Sequence, residues 1–268
     1  MKAFFRKVLY VVYQPYKYIV FAPSVLACTA FFGSLAMPLR AIFNARVATK
    51  FSAVGFARVL SYMTPITVKV FGKENIDKKQ SYIIVSNHQS HYDPLVICGW
   101  SGLDIRWVMK KELRKIPIFG WACEKGGEFI VIDRKNIDAA IASMRAAADR
   151  IKNGTSVLFF VEGTRSLTGA LGDFKKGAFK MAQELKLPIL PISVVDTRKI
   201  LAAKTLKLFP GRAKLVIHKP VNVLKYSQDQ LDRMIEDVKG IIQRGLDEYT
   251  SGNTPHAASG ASHGGSRG

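Results

Sequence analysis

The chain has 268 residues, of which 48% are hydrophobic, and its formal net charge at pH 7 is +20. A chain of this length can form one large domain, or one domain with an appendage. A protein this basic is expected to bind phosphate, but the chain has no helix-turn-helix, zinc-finger or RNP-type signature for nucleic acid. The three cysteines, Cys28, Cys98 and Cys123, are scattered, which argues against a disulfide framework and favours a reducing compartment.

The first 72 residues combine positive charge with apolar side chains. No Asp or Glu precedes Glu74, and residues 18–39 form an uncharged run. Because about 20 apolar residues span a bilayer, this run predicts a membrane anchor. Pro23, Gly33 and Pro38 interrupt it and permit a bent, half-inserted hairpin. Since both flanks are basic, the pattern favours a monotopic or re-entrant anchor over a span.

Two features of this segment have alternative explanations. Residues 27–30 resemble a weak signal-peptide cleavage site, although the preceding basic region would be long and the apolar run continues past it. Residues 41–63 carry basic side chains among apolar ones and predict a basic amphipathic helix on an anionic membrane surface. An ordinary core-packing helix explains that second pattern equally well.

From Val68 onward, predicted strands and helices alternate. The strands are expected at residues 81–85, 105–109, 129–132, 156–161, 189–195 and 214–217, and the helices at 94–100, 136–152, 175–186 and 227–249. This alternation predicts an α/β fold with a mainly parallel sheet flanked by helices, after an N-terminal membrane-anchoring helical segment. We divide the chain into an anchor (1–72), an α/β domain (73–250) and a disordered tail (251–268).

The turn after the first of these strands holds a histidine and a carboxylate. His88 follows the strand, and Asp93 comes five residues later, just before Pro94. A carboxylate on one imidazole nitrogen fixes the tautomer, so that the other nitrogen can take a proton from an alcohol. Without a G-x-S-x-G motif, that alcohol would belong to the substrate. Taken alone, the pattern is more simply explained by a turn in which Asp93 is the N-cap and Pro94 the first helical residue. His91 is a rival base, but His88 lies closer to the strand.

A second strand end, at residues 160–166, offers groups for an anion. Gly163 permits a tight turn, and Arg165 can hold a phosphate through two hydrogen bonds. Glu162 could bond to Arg165, to the loop backbone or to a substrate hydroxyl. A solvated basic loop is the alternative explanation.

Three further basic residues lie near strand or helix ends. Arg134 follows the strand at 129–132 and is a second phosphate candidate, or else forms a surface pair with Asp133. Lys175 and Lys176 lie at the N-terminus of the helix predicted at 175–186. Cations there oppose the helix dipole, so we expect an anion to bind at that end.

Four ordered segments resemble the glycerolipid acyltransferase family. They are Asn87-His88-x-x-x-x-Asp93, Phe129-Ile130 to Arg134, Phe160-x-Glu162-Gly163-Thr164-Arg165-Ser166 and Leu187-Pro188-Ile189-Leu190-Pro191-Ile192. The resemblance covers about residues 76–221, and the segment around Lys110 adds to it. The second segment departs from the family pattern, since Val131 stands where Phe is usual.

The resemblance implies a reaction and a role for each residue. The likeness is to enzymes that transfer a fatty acyl group from acyl-CoA or acyl carrier protein to the sn-2 hydroxyl of lysophosphatidate. His88 would take the hydroxyl proton and Asp93 would orient His88, with direct attack on the thioester. The residues implied to hold the glycerol phosphate or to neutralise developing charge are Arg134, Glu162, Gly163, Thr164, Arg165 and Lys110.

The resemblance also implies the setting of the reaction. We expect no metal or cofactor and no nucleic-acid partner, and we expect membrane lipids, lysophosphatidate and the acyl donor as partners. The expected location is the cell inner membrane, with the active site on the cytoplasmic side. Other acceptors would be a lyso-ornithine lipid, another lysophospholipid or glycerol 3-phosphate. A non-catalytic membrane adaptor is the remaining alternative, against which the intact His88, Asp93, Glu162 and Arg165 argue.

Overall fold

The computed structural model describes residues 2–110, 129–132 and 151–250. The helices within these ranges are α1 (Lys2–Pro15), α2 (Ala22–Ile42), α3 (Ala45–Phe51), α4 (Ala53–Met63), α5 (Asp93–Trp100), α6 (Gly177–Leu185), α7 (Thr197–Ile200) and α8 (Leu231–Tyr249). The strands are β1 (Ile66–Phe71), β2 (Ile83–Ser86), β3 (Asp104–Lys110), β4 (Phe129–Ile132), β5 (Thr155–Phe160), β6 (Ile189–Val195) and β7 (Gly211–Ile217).

The seven strands form one sheet in the order β1-β7-β6-β2-β5-β3-β4. β2 lies in the middle and pairs in parallel with β5 and β6, so that Ile83 is opposite Val157 on one side and Ile189 on the other. β3 pairs in parallel with both β4 and β5, whereas β7 runs antiparallel to β6. The predicted α/β fold with a mainly parallel sheet is confirmed. Strands β2 to β6 therefore all end at the same edge, which we call the carboxyl edge.

Both faces of the sheet are covered by helices. Ile83 and Val85 of β2 pack into the cluster that contains residues of α6 and α8, whereas Ile84 between them packs into the cluster that contains residues of α5. All three side chains have no exposed surface. Burial on both faces explains why the central strands are continuously apolar rather than alternating.

The element boundaries differ from the sequence predictions at several points. β1 was not predicted as a strand. It lies before residue 72, within the segment assigned to the anchor, but it pairs with β7 in the sheet. The single helix predicted at 41–63 is wrong. The chain turns at Phe43, and the side chain of Asn44 accepts a hydrogen bond from the N–H of Val47, which starts α3 as a separate helix. Most of the helix predicted at 136–152 and the tail at 251–268 lie outside the described residues.

The N-terminal segment is helical from Lys2 to Ile42. Pro23, Gly33 and Pro38 do not break it, and a π-helical turn at Tyr16–Phe21 precedes Pro23. A shifted turn of this kind is one way in which a helix accommodates a missing N–H. The stretch Tyr10–Ile42 is long and apolar enough to cross a membrane, and its most apolar part is unburied. It is therefore a candidate membrane anchor.

Two groups of contacts attach this segment to the α/β fold. The hydroxyl of Tyr16 donates to the carbonyl of Met63, at the carboxyl edge of the sheet. At the opposite edge, the buried guanidinium of Arg106 contacts Asp104 at 2.7 Å and donates to the hydroxyl of Thr49 in α3 at 3.2 Å. The chain thus enters and leaves the anchor beside the same domain.

Candidate active site

The turn between β2 and α5, residues 87–93, lies at the carboxyl edge. Asn87, the first residue of the turn, binds the neighbouring strand β6. Its side chain donates to the carbonyl of Val194 at 2.9 Å and accepts from the N–H of Val194 at 2.8 Å. The amide of Gln89 also donates to that carbonyl. The position of the turn is therefore set by β6, which the order of the strands places next to β2.

Asp93 is fully buried and organises the turn. Its Oδ2 lies 2.8 Å from Nδ1 of His88 and accepts the N–H groups of Gln89 at 2.6 Å and Ser90 at 2.7 Å. Its Oδ1 accepts the hydroxyl of Thr197. Four donors thus surround a carboxylate that has no exposed surface, which is how a buried charge is compensated.

The prediction that Asp93 is the N-cap of the following helix is wrong. Helix α5 begins at Asp93 itself, and the preceding Tyr92 already has helical backbone angles. The carboxylate makes no cap to the helix because it points back to the N–H groups of the turn that precedes it. Pro94 still lies in the first helical turn, where its missing N–H costs nothing.

The ring of His88 has one occupied nitrogen and one available nitrogen. It stacks on the ring of Phe160, with the centroids 3.9 Å apart and the planes 17° from parallel. Because Nδ1 donates to Asp93, Nε2 carries a lone pair, and it has no hydrogen-bond partner among the described residues. The side chain is 16% exposed, so part of the ring is open to solvent. This arrangement suits a general base.

Glu162 binds the loop backbone, one of the three partners that the sequence allowed. Oε1 accepts the N–H of His88 at 2.9 Å, and Oε2 accepts the N–H of Gly172 at 2.9 Å. The N–H of Ser166 donates to the carbonyl of His88 at 2.7 Å. The loop after β5 and the turn after β2 are therefore held together, and both carboxylate oxygens of Glu162 are already used.

Arg165 lies on this loop, and its Nη1 contacts both ring nitrogens of His91, Nε2 at 2.6 Å and Nδ1. A guanidinium can only donate, so a ring nitrogen that accepts from it must carry no proton. Burial and then the charge of Arg165 lower the pKa of His91, which favours that state. The structure thus places Arg165 beside the turn that carries both histidines. His91 contacts the guanidinium of Arg165, whereas His88 is hydrogen-bonded to Asp93.

The remaining predicted residues lie around this site or outside the described residues. Gly163 has φ of +75°, the left-handed conformation that its tight turn requires, and Thr164 follows it in the exposed part of the loop. Lys110 is the last residue of β3 and so lies at the carboxyl edge. Arg134 lies outside the described residues. Lys176 forms an exposed ion pair with Asp232 at 2.6 Å. This pair explains the position of one of the two helix-end lysines, so a bound anion is not needed to explain it.

Two residues of the site were missed by the sequence analysis. The role of Phe160 in stacking on His88 leaves no local signal, because Phe160 simply continues the apolar run of the strand that it ends. Thr197 lies more than 100 positions from Asp93, just after β6. The signal that could have found it is the strand order, which brings the ends of β2 and β6 together.

Comparisons with known proteins agree with this arrangement. A sequence model of the acyltransferase family, described as "Acyltransferase", matches residues 67–195. A 1-acyl-sn-glycerol-3-phosphate acyltransferase from Saccharomyces cerevisiae is 32% identical over 218 residues, which cover 80% of this chain and 71% of the relative. A probable 1-acyl-sn-glycerol-3-phosphate acyltransferase from Mycoplasma genitalium is 31% identical over 190 residues, which cover 66% of this chain and 69% of the relative.

A solved structure is also similar. The 1-acyl-sn-glycerophosphate (LPA) acyltransferase PlsC from Thermotoga maritima superimposes with a TM-score of 0.73 at 27% sequence identity. The match covers 91% of this chain and 97% of that protein, so it includes the N-terminal helices as well as the sheet. The chain therefore belongs to the acyltransferase family and is an enzyme that transfers acyl groups.

Proposed function

We propose that this enzyme transfers a fatty acyl group from acyl-CoA or acyl carrier protein to the sn-2 hydroxyl of 1-acyl-sn-glycerol 3-phosphate, forming phosphatidate. The observation that carries the proposal is the His88–Asp93 pair, with a free nitrogen, next to Arg165 on the adjoining loop. The names of the relatives support this acceptor.

The proposed step begins when Nε2 of His88 takes the proton of the sn-2 hydroxyl. The oxygen attacks the thioester carbonyl, a C–O bond forms, and collapse of the tetrahedral intermediate breaks the C–S bond. The imidazolium then returns its proton to the departing thiolate. Asp93 stabilises the imidazolium through the hydrogen bond at Nδ1. Base assistance of this kind typically accelerates a reaction by about 100- to 10,000-fold.

Phosphate binding is assigned mainly to the loop after β5. β5 is the direct neighbour of β2, so its loop starts about 5 Å from the histidine turn. That spacing matches a phosphate only a few bonds from the reacting hydroxyl. We assign Arg165, Gly163 and Thr164 to this phosphate, with Glu162 holding the loop in place rather than touching the ligand.

Arg134 and Lys110 are assigned to more distant negative charge. β3 and β4 follow β5 in the sheet, which places their ends about 10 and 15 Å from the end of β2. Lys110 ends β3, and Arg134 comes two residues after the end of β4. We propose that these two cations bind the outer oxygens of the phosphate or the phosphates of the acyl donor.

The proposed setting is the cytoplasmic face of the cell inner membrane. We propose a monotopic anchor, because Tyr16 near the start of the apolar helix contacts Met63, the last residue of α4 before the chain enters the sheet at β1. The net charge of +20 would attract anionic lipid as well as an acidic donor, whether CoA or carrier protein. We also propose that no metal ion or cofactor takes part, since a thioester is already activated and His88 supplies the base.

The test is an assay of the purified full chain with both thioester donors and a set of acceptors. The acceptors are lysophosphatidate, lysophosphatidylcholine, a lyso-ornithine lipid and glycerol 3-phosphate. We expect the highest rate with lysophosphatidate and phosphatidate as the product. A clear preference for an acceptor without a terminal phosphate would refute the assignment of Arg165.

A further inference from the structure

A short hairpin lies at the carboxyl edge between α7 and β7. An antiparallel bridge joins Leu201 to Leu208 and closes it. At its turn, the carbonyl of Ala202 accepts the N–H of Thr205 at 3.3 Å and its hydroxyl at 3.0 Å. We call residues 201–208 the edge hairpin. These contacts hold its tip in one conformation.

The edge hairpin is attached to the turn that carries His88 and Asp93. The hydroxyl of Ser90 donates to the carbonyl of Leu201 at 2.7 Å, and Ser90 forms an antiparallel bridge with Ala202. Ser90 is also one of the residues whose N–H binds Asp93. A change in the position of the hairpin would therefore be transmitted to the carboxylate through a single residue.

The tip of the edge hairpin exposes an apolar side chain between two cations. Leu206 is 72% exposed, and Lys204 and Lys207 beside it are exposed as well. One exposed leucine on a protein surface needs no explanation by itself. A leucine flanked by lysines, however, has the composition of a segment that enters an anionic membrane surface.

A second observation relates the hairpin to the start of the membrane anchor. The ammonium of Lys17, which is 93% buried, donates to the carbonyl of Leu206 at 2.7 Å and lies 4.3 Å from the ring centroid of Tyr18. Lys17 is the last charged residue before the uncharged run of the anchor. Lysine and tyrosine mark the level of the lipid head groups in membrane segments. An anchor with Lys17 at that level would bring the carbonyl of Leu206 to the lipid head groups.

An aromatic contact also joins the N-terminal helix to the chain next to the hairpin. The ring of Tyr10 lies 5.9 Å from that of Phe209, which directly follows the edge hairpin. Ile19, two residues after Lys17, is 74% exposed, so that the anchor and the hairpin present apolar side chains on neighbouring elements. Both elements therefore expose an apolar side chain within two residues of the Lys17–Leu206 hydrogen bond.

We infer that the edge hairpin inserts Leu206 into an anionic bilayer and so holds the histidine turn at the membrane surface. Lys204 and Lys207 lie among the anionic head groups on either side. A lipid acceptor then reaches the site with its acyl chain still in the bilayer. This inference rests on the proposed function in one respect, because it needs an acceptor that resides in the membrane.

Fluorescence of a labelled cysteine tests the insertion. The chain first receives Cys28→Ser, Cys98→Ala and Cys123→Ser, and then either Leu206→Cys or Leu224→Cys for labelling with an environment-sensitive dye. Leu224 is a matched control because it is 68% exposed beside Lys225. It follows Val221, which pairs with Ile189 at the opposite, amino end of β6.

With the protein in vesicles of phosphatidylcholine and phosphatidylglycerol, we expect the dye at 206 to shift to shorter wavelength and brighten several-fold. We also expect lipid-bound nitroxides to quench it. The dye at 224 should keep the spectrum that it has in water. Equal, water-like spectra at both positions would overturn the inference, whichever acceptor the enzyme uses.

Activity separates this inference from the proposed function. Leu206→Asp should raise the apparent KM for lysophosphatidate in vesicles about tenfold, consistent with a lost apolar and electrostatic contact. It should leave the rate with a short-chain, water-soluble lysophosphatidate unchanged, and Leu224→Asp should change neither. An unchanged KM for Leu206→Asp in vesicles would contradict the inference. Absence of lysophosphatidate acylation by the unmodified enzyme, together with membrane insertion at 206, would refute the proposed function alone.

Discussion

The buried side chain of Asp93 both holds the turn together and binds the histidine that is proposed to act as the base. Its four hydrogen bonds come from two parts of the chain: three from the turn, through the ring of His88 and two backbone N–H groups, and one from the hydroxyl of Thr197. Because each oxygen is fixed, the hydrogen bond to His88 has a defined direction. In the proposed reaction, His88 is thus oriented before a substrate binds, which lowers the cost of reaching the transition state.

Thr197 is predicted to be a positioning residue for this pair. In Thr197→Val the shape is kept, but Oδ1 of Asp93 loses a donor, at a cost of about 1–3 kcal/mol to a buried acceptor. We expect kcat to fall about tenfold through the altered position of His88, with KM unchanged. Thr197→Ser keeps the hydroxyl and should restore the rate. A parallel change in KM, or an unchanged kcat in Thr197→Val, would show that this hydrogen bond does not act on the base.

At the scale of elements, helix α8 packs against β6 through a glycine. A Cβ atom at Gly245 would lie 2.5 Å from Oγ of Ser193 and 2.6 Å from Nε2 of His218. These two side chains are themselves hydrogen-bonded at 2.9 Å. The small residue at this position therefore sets how closely the helix approaches the sheet.

A pair of alanine substitutions on α8 tests this packing. Gly245→Ala should lower the free energy of unfolding by about 1–3 kcal/mol, because the side chains of Ser193 and His218 must move. Gly240→Ala on the same helix meets only the flexible end of Arg244, at 3.4 Å, and should raise stability by up to about 1 kcal/mol. Denaturant titration in detergent measures both. Equal effects of the two substitutions would contradict the close contact.

The same contact predicts a dependence of stability on pH. Burial, and then the charge of Arg244, lower the pKa of His218 from the usual 6.5 to about 4. Between these values the unfolded chain binds the proton and the folded chain does not, so stability is complete above pH 6.5 and is lost as the pH falls towards 4. The wild type should lose about 1–2 kcal/mol more than His218→Gln between pH 7 and pH 5. Parallel pH profiles of the two proteins would show that His218 is not the group responsible.

The central strands and the loops that follow them could be predicted from the sequence because their signal is local. β4 and β6 have the predicted bounds, and the apolar runs mark the buried strands. β1 was missed although its residues alternate between buried and exposed, as an edge strand should. The pairing of Asp93 with His88 was also predicted from their spacing. The bond from Thr197 to Asp93, and the choice of the His88 and Gly172 N–H groups by Glu162, could not be predicted, because they depend on which strands are neighbours.

At the scale of the whole molecule, the anchor is attached at both edges of the sheet. Tyr16 contacts Met63 near the site, and Arg46 contacts Asp104 at 3.6 Å on the opposite edge. Helices α2 and α4 also contact each other through Phe32 and Phe56. The turn at Phe43 therefore lies beside the α/β domain, as the proposed monotopic anchor requires.

Labelling of that turn tests the monotopic arrangement. Phe43 is 62% exposed, so Phe43→Cys in the cysteine-substituted chain should react with a membrane-impermeant maleimide. In sealed vesicles it should react from the side that labels Leu224→Cys in the α/β domain. Labelling from the opposite side alone would establish a span and refute the monotopic anchor.

The rate of acyl transfer by His88→Ala tests the central claim most directly. The full chain in detergent is assayed with lysophosphatidate and acyl-CoA, beside His218→Gln as a histidine control outside the site. Loss of the base should lower kcat by about 100- to 10,000-fold and leave binding of lysophosphatidate intact, since Arg165 is on a separate loop. The control should keep the wild-type rate. A wild-type kcat in His88→Ala would contradict the assignment of the His88–Asp93 pair as the group that activates the hydroxyl.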